Sequence, residues 1–184
     1  MLYILNFAAF QVGWFSSVLG GAQQMPWLGP VVVLGALAIH FRAAKRPAEE
    51  LALVLSCAAI GALFDSVLVS LGWVQYSSGM LFEMAAPYWI VSMWMLFATT
   101  LNVSMRWLRQ KEWLAAFFGL IGGPTTYYAG EKLGGIVLLD QTAALVALGI
   151  GWAVMMPILL RLSENFDGFA ERPVNDSLVA GEIS

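Results

Sequence analysis

Apolar runs of similar length follow one another along this chain at roughly residues 2–21, 26–41, 49–73, 86–105, 113–130 and 138–160, and short polar breaks separate them. Each run approaches the roughly 20 residues that an α-helix needs to cross a hydrocarbon layer ~30 Å thick. The pattern predicts an all-α fold, a polytopic transmembrane helical bundle of six spans. The second run is the shortest and begins at Pro26, which suits a first helical position because its missing N–H would have no partner there. After Arg161 the stretch "SENFDGFAERPVNDSLVAGEIS" is polar and is expected to be a disordered tail. The chain therefore divides into a transmembrane domain at 1–161 and a tail at 162–184.

Composition supports the membrane reading. Of 184 residues, 60% are hydrophobic and 11% charged, too few charges to clothe a water-soluble globule of this size. The net charge of −3 and the scatter of nine Lys and Arg between apolar runs leave no basic face for a phosphate backbone, which excludes nucleic acid as a partner. One Cys, Cys57, cannot form an intramolecular disulfide, and one His, His40, does not suffice for a His/Cys metal cluster. No metal and no cofactor are expected. P-loop, G-x-G-x-x-G, G-x-S-x-G and H-E-x-x-H motifs are all missing.

The cations set an orientation. Arg42, Lys45, Arg46, Arg106, Arg109, Lys111, Arg161 and Arg172 fall on one side of the six runs, and only Lys132 falls on the other. By the positive-inside rule both termini are cytoplasmic. The first run has no Lys or Arg ahead of it and contains Asn6 and Gln11, so it reads as a retained helix and not as a cleaved signal peptide. Trp27, Trp73, Tyr76, Tyr88, Trp89, Tyr127 and Tyr128 are placed at the outer interface and Trp107 and Trp113 at the inner one, as headgroup-level anchors. His40 is expected at the cytoplasmic interface.

Candidate chemistry concentrates in two places. Asp65 is the acid deep within a run, about 12 Å below the outer boundary at ~1.5 Å per residue from Trp73. An ionised carboxylate at such depth costs on the order of 2.5–3.5 kcal/mol, so it needs a partner, a proton or a cavity. It shares a helical stripe with Ala58, Gly61, Leu68 and Gly72, small enough overall for close packing that turns it inward. The second place is "GGPTTYYAGEKLGG" at 122–135. Pro124 offers no N–H to the carbonyl of Leu120, so the fifth helix is expected to kink or open there, beside the hydroxyls of Thr125, Thr126, Tyr127 and Tyr128. Asp65, Pro124, Thr126, Tyr127 and Tyr128 form the candidate intramembrane site. Glu83, Asn102, Glu131 and Asp140 are secondary candidates; the three acids are placed toward the same outer half, and Asn102, with Asn6, Gln11 and Ser104, suits hydrogen bonding between helices.

Four stretches, "NFAAFQVGWF" (6–15), "GALFDSVLVSLG" (61–72), "PYWIVSMWMLFATTLNVSMRWL" (87–108) and "GGPTTYYAGEKLG" (122–134), together resemble a family of small bacterial inner-membrane proteins catalogued as a domain of unknown function. The resemblance covers nearly the whole chain to about Arg161. It implies hallmark positions at Asp65, Pro87, Trp89, Thr100, Leu101, Asn102, Ser104, Gly122, Gly123, Pro124, Tyr128 and Gly130, with no assigned role. Some relatives are encoded beside enzymes that modify membrane fatty acids, a link toward lipids. The expected activity is binding or moving a lipid or small amphipathic molecule through an outward-facing intramembrane cavity, with membrane lipids as partners. Alternatives are a membrane-embedded lipid-modifying enzyme and a non-catalytic subunit that assembles with a membrane-protein partner.

Overall fold

A computed structural model describes residues 2–171. It consists of six α-helices: α1 (Leu2–Ala22), α2 (Leu28–Ala43), α3 (Pro47–Ser70), α4 (Tyr88–Leu101), α5 (Glu112–Lys132) and α6 (Gln141–Asn165). Each apolar run is thus one helix. Three of them, α1, α3 and α6, are long and apolar enough to cross a membrane; α2 and α4 are apolar but shorter. Two local signals agree with the bounds, while Pro26 lies in the turn before α2 and not at its first position. Pro47 opens α3 with Glu49 and Glu50 in its first turn, where negative charge suits the helix dipole. Asp140 caps α6 by accepting from the Ala143 N–H at 3.0 Å. Pro124 lies inside α5, and the helix continues through it without interruption, so the expected opening does not occur.

One element was not expected. β1 (Val74–Tyr76) and β2 (Ile136–Leu138) pair antiparallel, with Val74 opposite Leu138 and Tyr76 opposite Ile136. Both strands leave a helix in the same way. α3 and α5 each end before a glycine in the left-handed region, Gly72 (φ +69°) and Gly134 (φ +84°). The following N–H then bonds back, Trp73 to the Leu68 carbonyl and Gly135 to the Gly130 carbonyl. These turns send residues 73–76 and 135–138 across the same end of the bundle, here the ribbon end.

The opposite end carries the cations. Asn6 of α1 donates to Thr99 of α4, Asn102 after α4 reaches Glu50 of α3, and Arg161 of α6 pairs with Glu112 of α5, so helix starts and ends alternate between the two ends. α4 is the central element: Trp89, Ile90, Leu96, Ala98 and Leu101 on it are buried. It packs on α1, α2 and α3, while α5 and α6 form a close pair of their own.

Three aromatics assigned to the interface belong to the core. Tyr76, Trp89 and Tyr127 are buried because each has an interior hydrogen-bond acceptor, Asp65 for the two tyrosines and the Ser78 carbonyl for Trp89. Trp27, Tyr128, Trp107 and Trp113 are exposed. His40 is also buried, held by Glu50 at 2.8 Å. α6 continues past Arg161 to Asn165, and residues 166–171 fold against the basic end. The remainder of the expected tail, including Arg172, lies outside the described residues.

Candidate functional site

Asp65 is fully buried, one helical turn beyond Gly61, on the inward stripe of α3. Three donors from three different elements converge on it. Tyr76 of β1 and Tyr127 of α5 donate to Oδ1 at 2.6 and 2.5 Å, and Trp94 Nε1 of α4 donates to Oδ2 at 2.6 Å. This is the acceptor-only pattern of a carboxylate, and each donation is charge-assisted when the acid is ionised. No Lys or Arg pairs with Asp65 among the described residues. The inward stripe explains the geometry: a Cβ on Gly61 would lie 2.0 Å from Trp94 Cγ, so only glycine leaves room for the indole that reaches Asp65.

Two of these donors also border a cleft. α1 packs on α2 and α4, and α5 on α6, but α1 and α5 stand apart. The space between them is a cavity of about 240 Å³, walled by Phe10 and Trp14 of α1, Trp94 and Phe97 of α4, and Trp152 of α6. Gly119, Gly122, Gly123, Thr126 and Tyr127 of α5 complete it. Trp94 and Trp152 stack at 4.8 Å with planes 9° apart, and Phe97 stands edge-on to Trp152 at 5.3 Å. None of the lining side chains carries a formal charge. Asp65 does not line the cleft; it lies behind the wall and fixes Trp94 and Tyr127 within it.

The glycines of α5 have different tasks. Gly119 and Gly123 let α6 approach, since added Cβ atoms would lie 2.1 Å from the Trp152 carbonyl oxygen and 2.3 Å from its ring. A Cβ on Gly122 would meet nothing within 4 Å, because that face opens on the cleft.

The other sequence candidates are dispersed. Thr126 is exposed where it borders the cleft, and Tyr128 is exposed with Lys132 Nζ 4.7 Å from its ring centroid. Glu83 is exposed in the loop before α4. Glu131 accepts weakly from the Leu138 N–H at 3.3 Å, and Asp140 is a helix cap. The three secondary acids are therefore not gathered around Asp65. Asn102 is at the far end of α4 from the ribbon. Among the described residues no group of three or more His, Cys, Asp or Glu side chains is placed to hold a metal ion.

Asn102 belongs to a second buried polar cluster that was not apparent from the chain. Glu50, with no exposed surface, accepts from Asn102 Nδ2 at 2.6 Å and from the Gly168 N–H at 2.7 Å, and its other oxygen pairs with His40. Arg109 bonds Asn102 and, with Arg106, Asp167. Burial opposes ionisation of Asp167, but the hydrogen bond and charge of Arg109, the Phe169 N–H and the charge of Arg106 together outweigh it and hold its carboxyl below the usual 3.8. A carboxyl depressed in the folded state stabilises the fold above its unfolded pKa, and that contribution fades as pH falls through the folded one. Thermal unfolding in detergent should therefore show stability lost on acidification below about pH 4, with a shallower acid limb in Asp167→Asn.

Comparison with known proteins places the chain in one family: it matches the protein family of unknown function DUF2878 over residues 3–158, nearly its whole length, and belongs to it. No curated protein and no solved structure matches the chain. The match includes Asp65, its three donors and the entire cleft, and stops before the segment that fills the Glu50 cluster.

Proposed function

We propose that this member of the DUF2878 family is a six-span protein of a bacterial inner membrane that binds or moves a lipid or small amphipathic molecule in the cleft between α1 and α5. The carrying observation is the cleft itself: an uncharged, aromatic-walled, partly open cavity at mid-helix depth, bordered by α1 and α5. Its volume exceeds the ~150 Å³ of an apolar protein cavity that takes up a benzene ring. In a bilayer, such an opening on an apolar flank faces acyl chains, so a hydrophobic ligand can enter without crossing water.

The membrane placement follows from the helices and the charges. α2 and α4, of 16 and 14 residues, rise ~24 and ~21 Å, less than a bilayer core. α4 is surrounded by α1, α2 and α3, so its ends meet protein and not lipid, and its shortness costs little. The end that bears Arg42, Lys45, Arg46, Arg106, Arg109 and Arg161 faces the cytoplasm, and the ribbon faces outward. The cleft then lies within the membrane and opens sideways.

Gly122→Leu tests this reading because Gly122 lines the cleft and a Cβ added there meets nothing within 4 Å. Folding should be unchanged or improved by up to ~1 kcal/mol from helix propensity. In a strain lacking the gene, wild type should restore the membrane lipid profile and Gly122→Leu, present at equal level, should not. Full restoration by Gly122→Leu would remove the cleft from the account.

A further inference from the structure

The polar groups in the cleft wall restrict what can occupy it. Tyr127 and Trp94 spend their donors on Asp65. Trp14 Nε1 and Trp152 Nε1, the other two indole nitrogens of the lining, are buried and have no hydrogen-bond partner among the described residues. Thr126, the remaining polar side chain, lies at the exposed margin. An indole N–H can donate and cannot accept, so the unpaired wall groups are donors, with one hydroxyl able to serve either way. Buried donors left unpaired are uncommon and unfavourable, and two in the lining of one cavity call for an acceptor that the described residues do not supply.

Charge narrows the choice further. The lining contains no cation to receive a carboxylate or phosphate and no free anion to receive an ammonium, because both oxygens of Asp65 are engaged behind the wall. An ionised headgroup in this cleft would be desolvated without a counter-charge.

From this geometry, and resting on the cleft reading above, we infer that the ligand is an uncharged lipid whose polar function is a hydrogen-bond acceptor, a carbonyl on an apolar chain, received by the indole N–H groups of Trp14 and Trp152. Both nitrogens are shielded in this arrangement, so pairing includes a turn of the indole ring toward the ligand. Trp14 is the freer of the two; Trp152 is held by its stack on Trp94.

The test uses three probes of equal chain length: 2-undecanone, undecane and undecylammonium. Each is titrated by ligand-observed NMR onto the full chain in maltoside micelles, and cleft binding is the part that Gly122→Leu abolishes. The ketone should bind about 5-fold or more tightly than the alkane, the worth of one net hydrogen bond of ~1 kcal/mol, and the ammonium should show no cleft binding. Trp14→Phe/Trp152→Phe should bring the ketone to the level of the alkane measured on the same variant. If the double variant does not fold, Trp14→Phe alone, which keeps the Trp94–Trp152 stack, should lower the preference. Equal cleft binding of ketone and alkane, a preference that survives loss of the indoles, or cleft binding of the ammonium would overturn the assignment of an uncharged acceptor and leave the cleft reading intact. Binding of all three probes that Gly122→Leu does not reduce would overturn both.

Discussion

Asp65→Ala lowers stability by roughly 3–5 kcal/mol, because a buried donor left unpaired costs about 1–3 kcal/mol and this change leaves three. The carboxylate is the sole acceptor for Tyr76, Tyr127 and Trp94, and its loss leaves three interior donors from three elements unpaired. Asp65→Asn separates the contributions. The amide oxygen still serves both tyrosines, but its NH₂ then confronts the Trp94 N–H, donor against donor, for roughly 1.5–3 kcal/mol. Tyr76→Phe and Tyr127→Phe leave the acid with fewer donors and fall in the same lower range. Thermal unfolding in detergent should rank Asp65→Ala well below Asp65→Asn. Equal melting of Asp65→Ala and wild type would mean that this cluster does not hold the ribbon, α3, α4 and α5 together.

Gly119→Ala is expected to be disruptive although it adds a single methyl group. The new Cβ would stand 2.1 Å from the carbonyl oxygen of Trp152, a backbone atom of the neighbouring helix, so α5 and α6 must separate. Overpacking costs typically ~1–3 kcal/mol and more where backbone has to move. Separation also displaces Trp152 from its stack on Trp94, which carries the effect to the Asp65 cluster. Three residues on, Gly122→Ala has open space and should be neutral or slightly stabilising. The contrast distinguishes a glycine required for close helix approach from one that only borders a cavity. Similar melting temperatures for the two alanine variants would contradict the α5–α6 packing described here.

Helix positions were legible in the chain because bilayer-length apolar runs and their polar breaks are local features. The run at 2–21 became α1 (Leu2–Ala22), and that at 113–130 became α5 (Glu112–Lys132). Of the kink or opening expected at Pro124, the opening is not seen. A proline removes one hydrogen bond, but α6 packs against this part of α5 through Gly119 and Gly123, and the helix persists. The ribbon was missed since three-residue strands 60 positions apart carry no periodic signal. Their cue lay in the two terminal glycines, Gly72 and Gly134, each placed to end a helix on a left-handed turn.

For the candidate site, Asp65 and Tyr127 could be selected from the chain because one is an acid within an apolar run and the other a hydroxyl near a glycine stripe. Tyr76 and Trp94 could not: an aromatic near a span end, such as Tyr76, has the same local context whether it anchors at the headgroups or points inward, and one in the middle of an apolar run, such as Trp94, reads as any core residue. Glu50 was not singled out, since it lies only one turn into α3, and only tertiary contacts with His40, Asn102 and Gly168 reveal its burial. Trp14 and Trp152 are ordinary apolar-run residues by sequence. What distinguishes them is the absence of an acceptor for their N–H groups among the described residues.

The measurement that bears most directly on the cleft is mass spectrometry of the lipids retained by wild type and by Gly122→Leu, both purified from the same membranes under mild extraction. The account predicts that wild type holds a stoichiometric hydrophobic species that Gly122→Leu lacks, with equal melting temperatures of the delipidated proteins. The same lipids, in the same amounts, on both proteins would contradict it.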